Sequence, residues 1–266
     1  MADYTLGAAM LDVARLLGGL RSGVATGGST STLIDTSRRE EAEFWKNGTL
    51  WITSGIHAGK CFVVKSFSGN TITIPTTLTG TIAAGMEYAV LPQEFPMDII
   101  RHSVQSSLNE LGDIVSSDIT LTTDPDDEAY ELPDGVYNVL RVEIATNDAD
   151  PYGYAPNYFW KELSGWLYFI PEKKPGTDGF KMRIWYKAPH AEVFDYSDVV
   201  SPSVDRGWLA WAGVVHVLRN SLGIKGKDKA ISIDLLNQAL QKENEYRQRQ
   251  RKNNMLIISR DPILNP

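Results

Sequence analysis

Residues 203–222, SVDRGWLAWAGVVHVLRNSL, constrain the fold more than any other stretch. Trp208, Trp211, Val215, Leu218 and Leu222 share one helical stripe, and Ala210, Gly213, Val214 and Val217 make the other side apolar too. A helix that is apolar nearly all round must be covered on two sides. It is expected to be the central helix of a bundle. Ser203 is placed to cap it, and Asp205 sits favourably near its positive end. Its longest apolar run, Trp208 to Val215, is stopped by His216, far short of the ~20 residues of a bilayer span.

Three other stretches have helical spacing. In residues 5–20, Leu6, Met10, Val13, Leu17 and Leu20 form one stripe, and Gly18, Gly19 and Gly23 end the helix. In residues 95–115, Met97, Ile100, Val104, Leu108 and Leu111 form another, with Pro96 suited to the first turn. Residues 227–254 begin apolar, with Ile231, Leu235, Ala239 and Leu240, and end in RQRQRK, four positive charges in six residues. Residues 21–31, RSGVATGGSTS, read as a flexible linker.

Between the helices the chain is β-rich. LIDTS, TLWITS, CFVVKSF, TITI and EYAVL are short strands in residues 32–91 with glycine turns between them, as in a small sandwich or barrel. Residues 117–190 hold AYELPDG, VYNVLRVEIAT, GWLYFIP and FKMRIWYKAP. In the last, Phe180, Met182, Ile184 and Tyr186 alternate with Lys181, Arg183, Trp185 and Lys187, giving one apolar and one mixed face. The expected class is α+β: a helical bundle of about four helices interrupted by two inserted antiparallel β units. The boundaries are residues 1–31 for the first helix and linker, 32–94 for a β-barrel or sandwich insertion, and 95–116 for a bundle helix. Residues 117–200 form the second β insertion, 201–254 the C-terminal bundle helices, and 255–266 an extended C-terminal arm.

The chain has 266 residues and a net charge of −7, which disfavours general nucleic-acid binding. Its single cysteine, Cys61, rules out an internal disulfide and a Cys-rich zinc site, and it reads as a small packed hydrophobe. The N-terminus MADYTLGAAM lacks the pattern of a signal peptide, so a soluble protein made in the cytoplasm is expected, with no membrane contact. GVATGGST approaches a phosphate loop, but Ser29 replaces the lysine and a helix precedes it where a strand is needed. His57, His102, His190 and His216 lack the spacing of a helical metal pair; His57 reads as a surface residue and His216 as a core histidine. The acidic stretch Asp124–Glu128 lacks calcium-loop spacing and reads as a solvated turn. No G-x-S-x-G elbow is present. The expectation is therefore no catalytic residues, no cofactor and no metal, hence not an enzyme.

FWKNGTLWITSGIHAGK, residues 44–60, raises a different question. Exposed aromatics on a hairpin grip sugars, whereas buried ones hold a sheet together. Trp51 lies in a strand that also carries Leu50 and Ile52, so both faces can be covered, and a sandwich core or protein interface is favoured over sugar.

Three stretches resemble head–tail connector (adaptor) proteins of tailed bacteriophages. The first is WLAWAGVVHVLRNSLG followed by a polar helix ending ENEYRQRQRKNNM. The second is ELPDGVYNVLRVEI leading to GWLYFIP and RIWYKAPH, then DYSDVV. The third is FWKNGTLWITSGIHAGKCFVVKSFSGNTITI with the later GMEYAVL, similar to small β units of virion structural proteins. The resemblance covers most of the chain, as pattern and order. It implies a structural virion protein in a homo-oligomeric ring, commonly dodecameric, at the head–tail neck of the virion. The ring joins the portal protein to the next neck or tail-completion protein and extends the channel. Double-stranded DNA passes through without specific binding. It also implies that the C-terminal segment holds the portal, which assigns Arg247, Arg249, Arg251, Lys252, Leu256, Ile257, Ile258, Ile263 and Leu264 to that contact. Trp45, Trp51, Tyr152, Tyr154 and Trp160 are the residues assigned to a neighbour or the tail. The alternative is a tail-associated binding module reading a surface glycan through Trp45, Trp51 and Trp160.

Overall fold

The computed structural model describes residues 3–147, 153–222 and 229–258. They form two compact units, one from residues 3–110 with 191–250 and one from residues 111–190 with 251–258.

The first unit opens with α1 (Leu6–Leu17), whose first turn is capped by Thr5 Oγ1 accepting from Ala8 N (3.3 Å). Eight short strands follow: β1 (Arg21–Val24), β2 (Gly27–Gly28), β3 (Thr32–Ile34), β4 (Thr49–Ile52), β5 (Cys61–Val63), β6 (Ser66–Ser68), β7 (Thr71–Thr73) and β8 (Glu87–Leu91). They pair antiparallel as two sheets, ordered β1-β8-β4-β5 and β2-β3-β7-β6. β1 runs into β2 through Ala25 and Thr26, and β5 runs into β6 through Val64 and Lys65, so the sheets meet at shared corners like a small barrel. Leu33, Leu50, Ile52, Phe67, Ile72, Tyr88 and Val90 fill it.

The unit is completed by α2 (Met97–Glu110), α3 (Arg206–Leu222) and, up to Gln250, α4 (Lys229–Ile258). α1, α2 and α3 pack on one another. α3 is covered nearly all round, as its composition requires, with Trp208, Leu209, Ala212, Val214, Val217 and Leu218 buried. Its first turn is capped by Asp205, whose Oδ1 accepts from Trp208 N (2.8 Å), and not by Ser203. The face of β4 turned away from the barrel is buried too. Met97 of α2 reaches Cys61 beside it, Sγ to Sδ 3.3 Å, and a Cβ on Gly7 of α1 would lie 2.9 Å from Gly59 O.

Residues 111–190 of the second unit are mainly strand, with one short 3-10 turn at Pro171–Lys173: β9 (Asp113–Asp118), β10 (Ala129–Glu131), β11 (Val139–Ala145), β12 (Tyr154–Asn157), β13 (Trp160–Leu163), β14 (Trp166–Phe169) and β15 (Met182–Pro189). One sheet has the order β12-β11-β15-β9 and the other β10-β14-β13. Tyr130, Leu132, Val142, Leu167, Phe169, Met182 and Ile184 form its core. Met182 and Ile184 are fully buried, as the alternation in FKMRIWYKAP requires.

A helical bundle with two inserted β units is not what forms. Among the described residues there are four helices and fifteen strands in four antiparallel sheets, with 28% of the chain helical and 29% strand. The architecture is mixed α+β because each β region buries an apolar cluster of its own. Residues 21–31 are no linker, since they build β1 and β2. Two of their glycines, Gly23 and Gly28, serve close approach: a Cβ on Gly23 would lie 2.6 Å from Asp35 Oδ2 and 2.7 Å from Tyr88 OH. The second helix stops at Glu110, Gly112 has φ +74°, and the residues after it enter β9. Residues 255–258 of the expected extended arm belong to α4, and 259–266 lie outside the described residues.

Candidate functional site

Trp45 and Trp51 lie inside the first unit at 1% and 2% exposure, so neither offers a face to a neighbour or a glycan. All four residues of β4 are buried, because Leu50 and Ile52 fill the barrel while Thr49 and Trp51 point to the other covered side. The expected surface residue His57 is also buried; its Nε2 donates to Gly80 O (2.9 Å) from the short 3-10 turn Gly55–His57. His216, expected in the core, is partly exposed and sits 3.2 Å from Glu110 Oε2. Cys61 is packed against Met97, and burial pushes its thiol pKa up to about 12, which suits a hydrophobe and not a nucleophile.

Beside Trp45 is a buried polar chain that the sequence did not advertise. Tyr88 OH donates to Asp35 Oδ2 (2.6 Å) and accepts from Arg38 Nε (2.7 Å). Ser37 N and Oγ donate to Asp35 Oδ1 (2.9 and 2.6 Å). Arg38 Nη2 donates to Arg21 O and Ser22 O (both 3.3 Å), and its guanidinium lies over the Trp45 ring at 5.6 Å. Burial pushes the Asp35 carboxyl up, but the Ser37 and Tyr88 hydrogen bonds and the Arg38 charge outweigh it and hold the pKa below the ordinary carboxylate value. Burial first, and then the bond to Asp35, push the Tyr88 hydroxyl well above its usual range. The network is fully partnered and turned inward, which makes it a fastening between β1, β8 and the 35–38 turn.

In the second unit Glu143 is buried on the outer face of its sheet. Its Oε2 accepts from Arg183 Nε (2.5 Å) and Trp185 Nε1 (3.0 Å), and its Oε1 lies 2.6 Å from Arg141 Nη2. Tyr154 lies under Arg183, guanidinium to ring 3.9 Å. It is thus engaged within its own sheet. Trp160 is half-buried, its Nε1 donating to Asn157 O (2.9 Å), and Tyr152 lies outside the described residues.

The basic segment divides. Arg247 Nε donates to Glu243 Oε1 (2.8 Å), which also accepts from Trp208 Nε1 (3.1 Å). Arg249 lies 5.0 Å from the Tyr246 ring. Gln250, buried at 3%, accepts from Asp205 N at Oε1 (2.6 Å) and donates to Ser203 O at Nε2 (2.5 Å). Tyr246 packs over Gly207 of α3, where any Cβ would collide with its ring. Glu243, Tyr246 and Gln250 thus form a polar seam holding α4 to the start of α3. The side chains of Arg251, Lys252, Leu256, Ile257 and Ile258 lie outside those described, as do Ile263 and Leu264 entirely.

The second unit also presents a surface that lies outside the residues expected at contacts. β13 and β14 are joined by a two-residue turn, Ser164 and Gly165, with φ of +52° and +81°. Leu167 and Phe169 face the core. The register sets Leu163 opposite Trp166 and Lys161 opposite Tyr168 on the other face, and Ile170 N donates to Phe159 O (2.9 Å) beyond them. Phe159, Leu163, Trp166 and Ile170 are 44%, 55%, 39% and 48% exposed. Alternation in WKELSGWLYFIP is the signal that exposes this face.

No group of three or more His, Cys, Asp or Glu is placed to hold a metal ion among the described residues. No family model matches the chain, and no curated protein matches it.

Proposed function

We propose that the chain is a structural virion protein, a head–tail connector that forms a ring joining the portal to the neck or tail and extending the DNA channel. Sequence resemblance to tailed-phage connectors is the starting point. The observation that carries the reading is α4. It is 30 residues long, about 45 Å at helical rise, and beyond the buried Ala239 its packing seam is polar, made of Glu243, Tyr246 and Gln250. Past Gln250 it continues as helix through Ile258, carrying Arg251 and Lys252 onward from the anchored seam. A polar helix of this length suits a bridge to another body. Residues 247–252 carry four positive charges; taking these from the net −7 leaves −11 for the rest of the chain. A strongly acidic body suits a channel through which DNA slides without sticking, while the basic segment suits an acidic docking face.

The test removes residues 255–266. The truncated subunit is expected to fold, by circular dichroism and urea unfolding, and to lose docking on purified portal. Docking equal to that of the full chain contradicts the proposal. The glycan alternative loses its rings, because Trp45 and Trp51 are buried and Trp160 is half-buried against its own core.

A further inference from the structure

The outward face of β10-β14-β13 contributes nothing to the core of its own unit. Leu167 and Phe169 supply that core from the opposite face. Three cross-strand pairs, Phe159 with Ile170, Lys161 with Tyr168 and Leu163 with Trp166, make a continuous strip on a rigid hairpin. Single exposed apolar residues are ordinary, but a contiguous strip rimmed by charge marks a contact surface.

The rim differs from one edge of the sheet to the other. On the β13 side Lys161 lies 6.0 Å from the Tyr168 ring, and Lys173 lies 5.5 Å from the Phe159 ring. Neither lysine makes an ion pair among the described residues. The β10 edge is acidic. An open trough of about 650 Å³ runs there, lined by Leu121, Leu132 and Trp166 together with Asp127, Glu131 and Asp134. Trp166 belongs to both strip and trough, since it sits directly opposite Glu131.

We propose that this sheet is a contact between copies of the chain, in which the lysine-bearing strip of one copy meets the acidic trough edge of the next. The two surfaces are unlike in charge and both offer apolar side chains. They therefore complement each other between copies. A contact between unlike surfaces is head-to-tail, and repetition closes it into a ring when the rotation allows. Both β10 and β13 are edge strands, where unpaired backbone groups invite a partner. This inference deepens the ring reading and rests on it.

The purified full chain is examined by sedimentation velocity and native mass spectrometry across a concentration series. Wild type is expected to assemble. Leu163→Glu is expected to raise the concentration for half-assembly by roughly tenfold or more, with urea unfolding unchanged. Lys161→Glu and Glu131→Lys are each expected to weaken assembly, and an equal mixture of the two is expected to restore it, because each variant then offers the charge the other lacks. Three results overturn the proposal: a wild type that stays monomeric, a Leu163→Glu variant that assembles like wild type, or weakened single variants that fail to rescue each other. The second leaves a ring built through another surface. The first removes self-contact by this sheet, while portal docking is judged separately by the 255–266 deletion.

Discussion

In β4 every residue is buried, and in β13 none is. Both are four-residue strands carrying one tryptophan, in antiparallel sheets, next to turns built on glycine. The difference lies in what covers the second face. β4 has the barrel on one side and the helical layer on the other, and Met97 against Cys61 marks that contact. β13 has its core on one side only. Burial on both sides has a cost: Thr49 Oγ1 and Trp51 Nε1 are buried without hydrogen-bond partners among the described residues. The hairpin of β13 avoids that cost and leaves apolar rings for something else to cover. Aromatic content alone therefore does not separate a core from a docking face.

The sharpest break of this comparison is a pair of truncations. Trp51→Ala is expected to cost about 3–5 kcal/mol of stability in urea unfolding, whereas Trp166→Ala stays within about 0.5 kcal/mol. Similar values for both would erase the distinction. Next is Glu143→Gln, which removes the charge held by Arg141 and Arg183 on the outer face of its sheet. With both arginines partly exposed, about 1–3 kcal/mol is expected, read as a fall in melting temperature. Tyr88→Phe takes out the hydroxyl that links Asp35 and Arg38, at about 1–2 kcal/mol.

The same network sets a pH dependence. The folded-state pKa of Asp35 is depressed, so its stabilisation is present above the unfolded value of about 3.9 and is lost as pH falls through the folded value. Asp35→Asn is expected to be less stable at neutral pH and to have a flatter acid limb below about pH 4. An acid limb unchanged from wild type would remove Asp35 from that role. The smallest effect is expected from Gln250→Ala, about 1 kcal/mol, with faster amide exchange at Asp205 and in the last anchored turn of α4.

Helix α3 was plain from composition, since an apolar surface all round leaves few placements. The stripes of α1 and α2 were legible from their period, and β15 from its alternation. The barrel was harder. Its strands are two to five residues long, and β1 (Arg-Ser-Gly-Val) and β2 (Gly-Gly) lie in a glycine- and serine-rich stretch that composition assigns to a linker. Only the close approach of Gly23 to Asp35 and Tyr88 explains those residues, and close approach is a tertiary fact. The α4 seam was hidden for a related reason. Its packing residues Glu243, Tyr246 and Gln250 keep helical spacing but are polar, so an apolar periodicity passes over them. For the candidate contacts, tryptophan was the wrong guide. Trp45 and Trp51 turned inward, while Leu163, Ile170 and Phe159 beside Trp166 turned out.

The connector reading is tested most directly by electron cryomicroscopy of phage particles assembled with this chain. A closed ring of copies between portal and tail is expected, with basic residues 247–252 and the chain beyond them at the portal side. Particles whose neck lacks this chain, or which carry it elsewhere on the virion, would contradict the account.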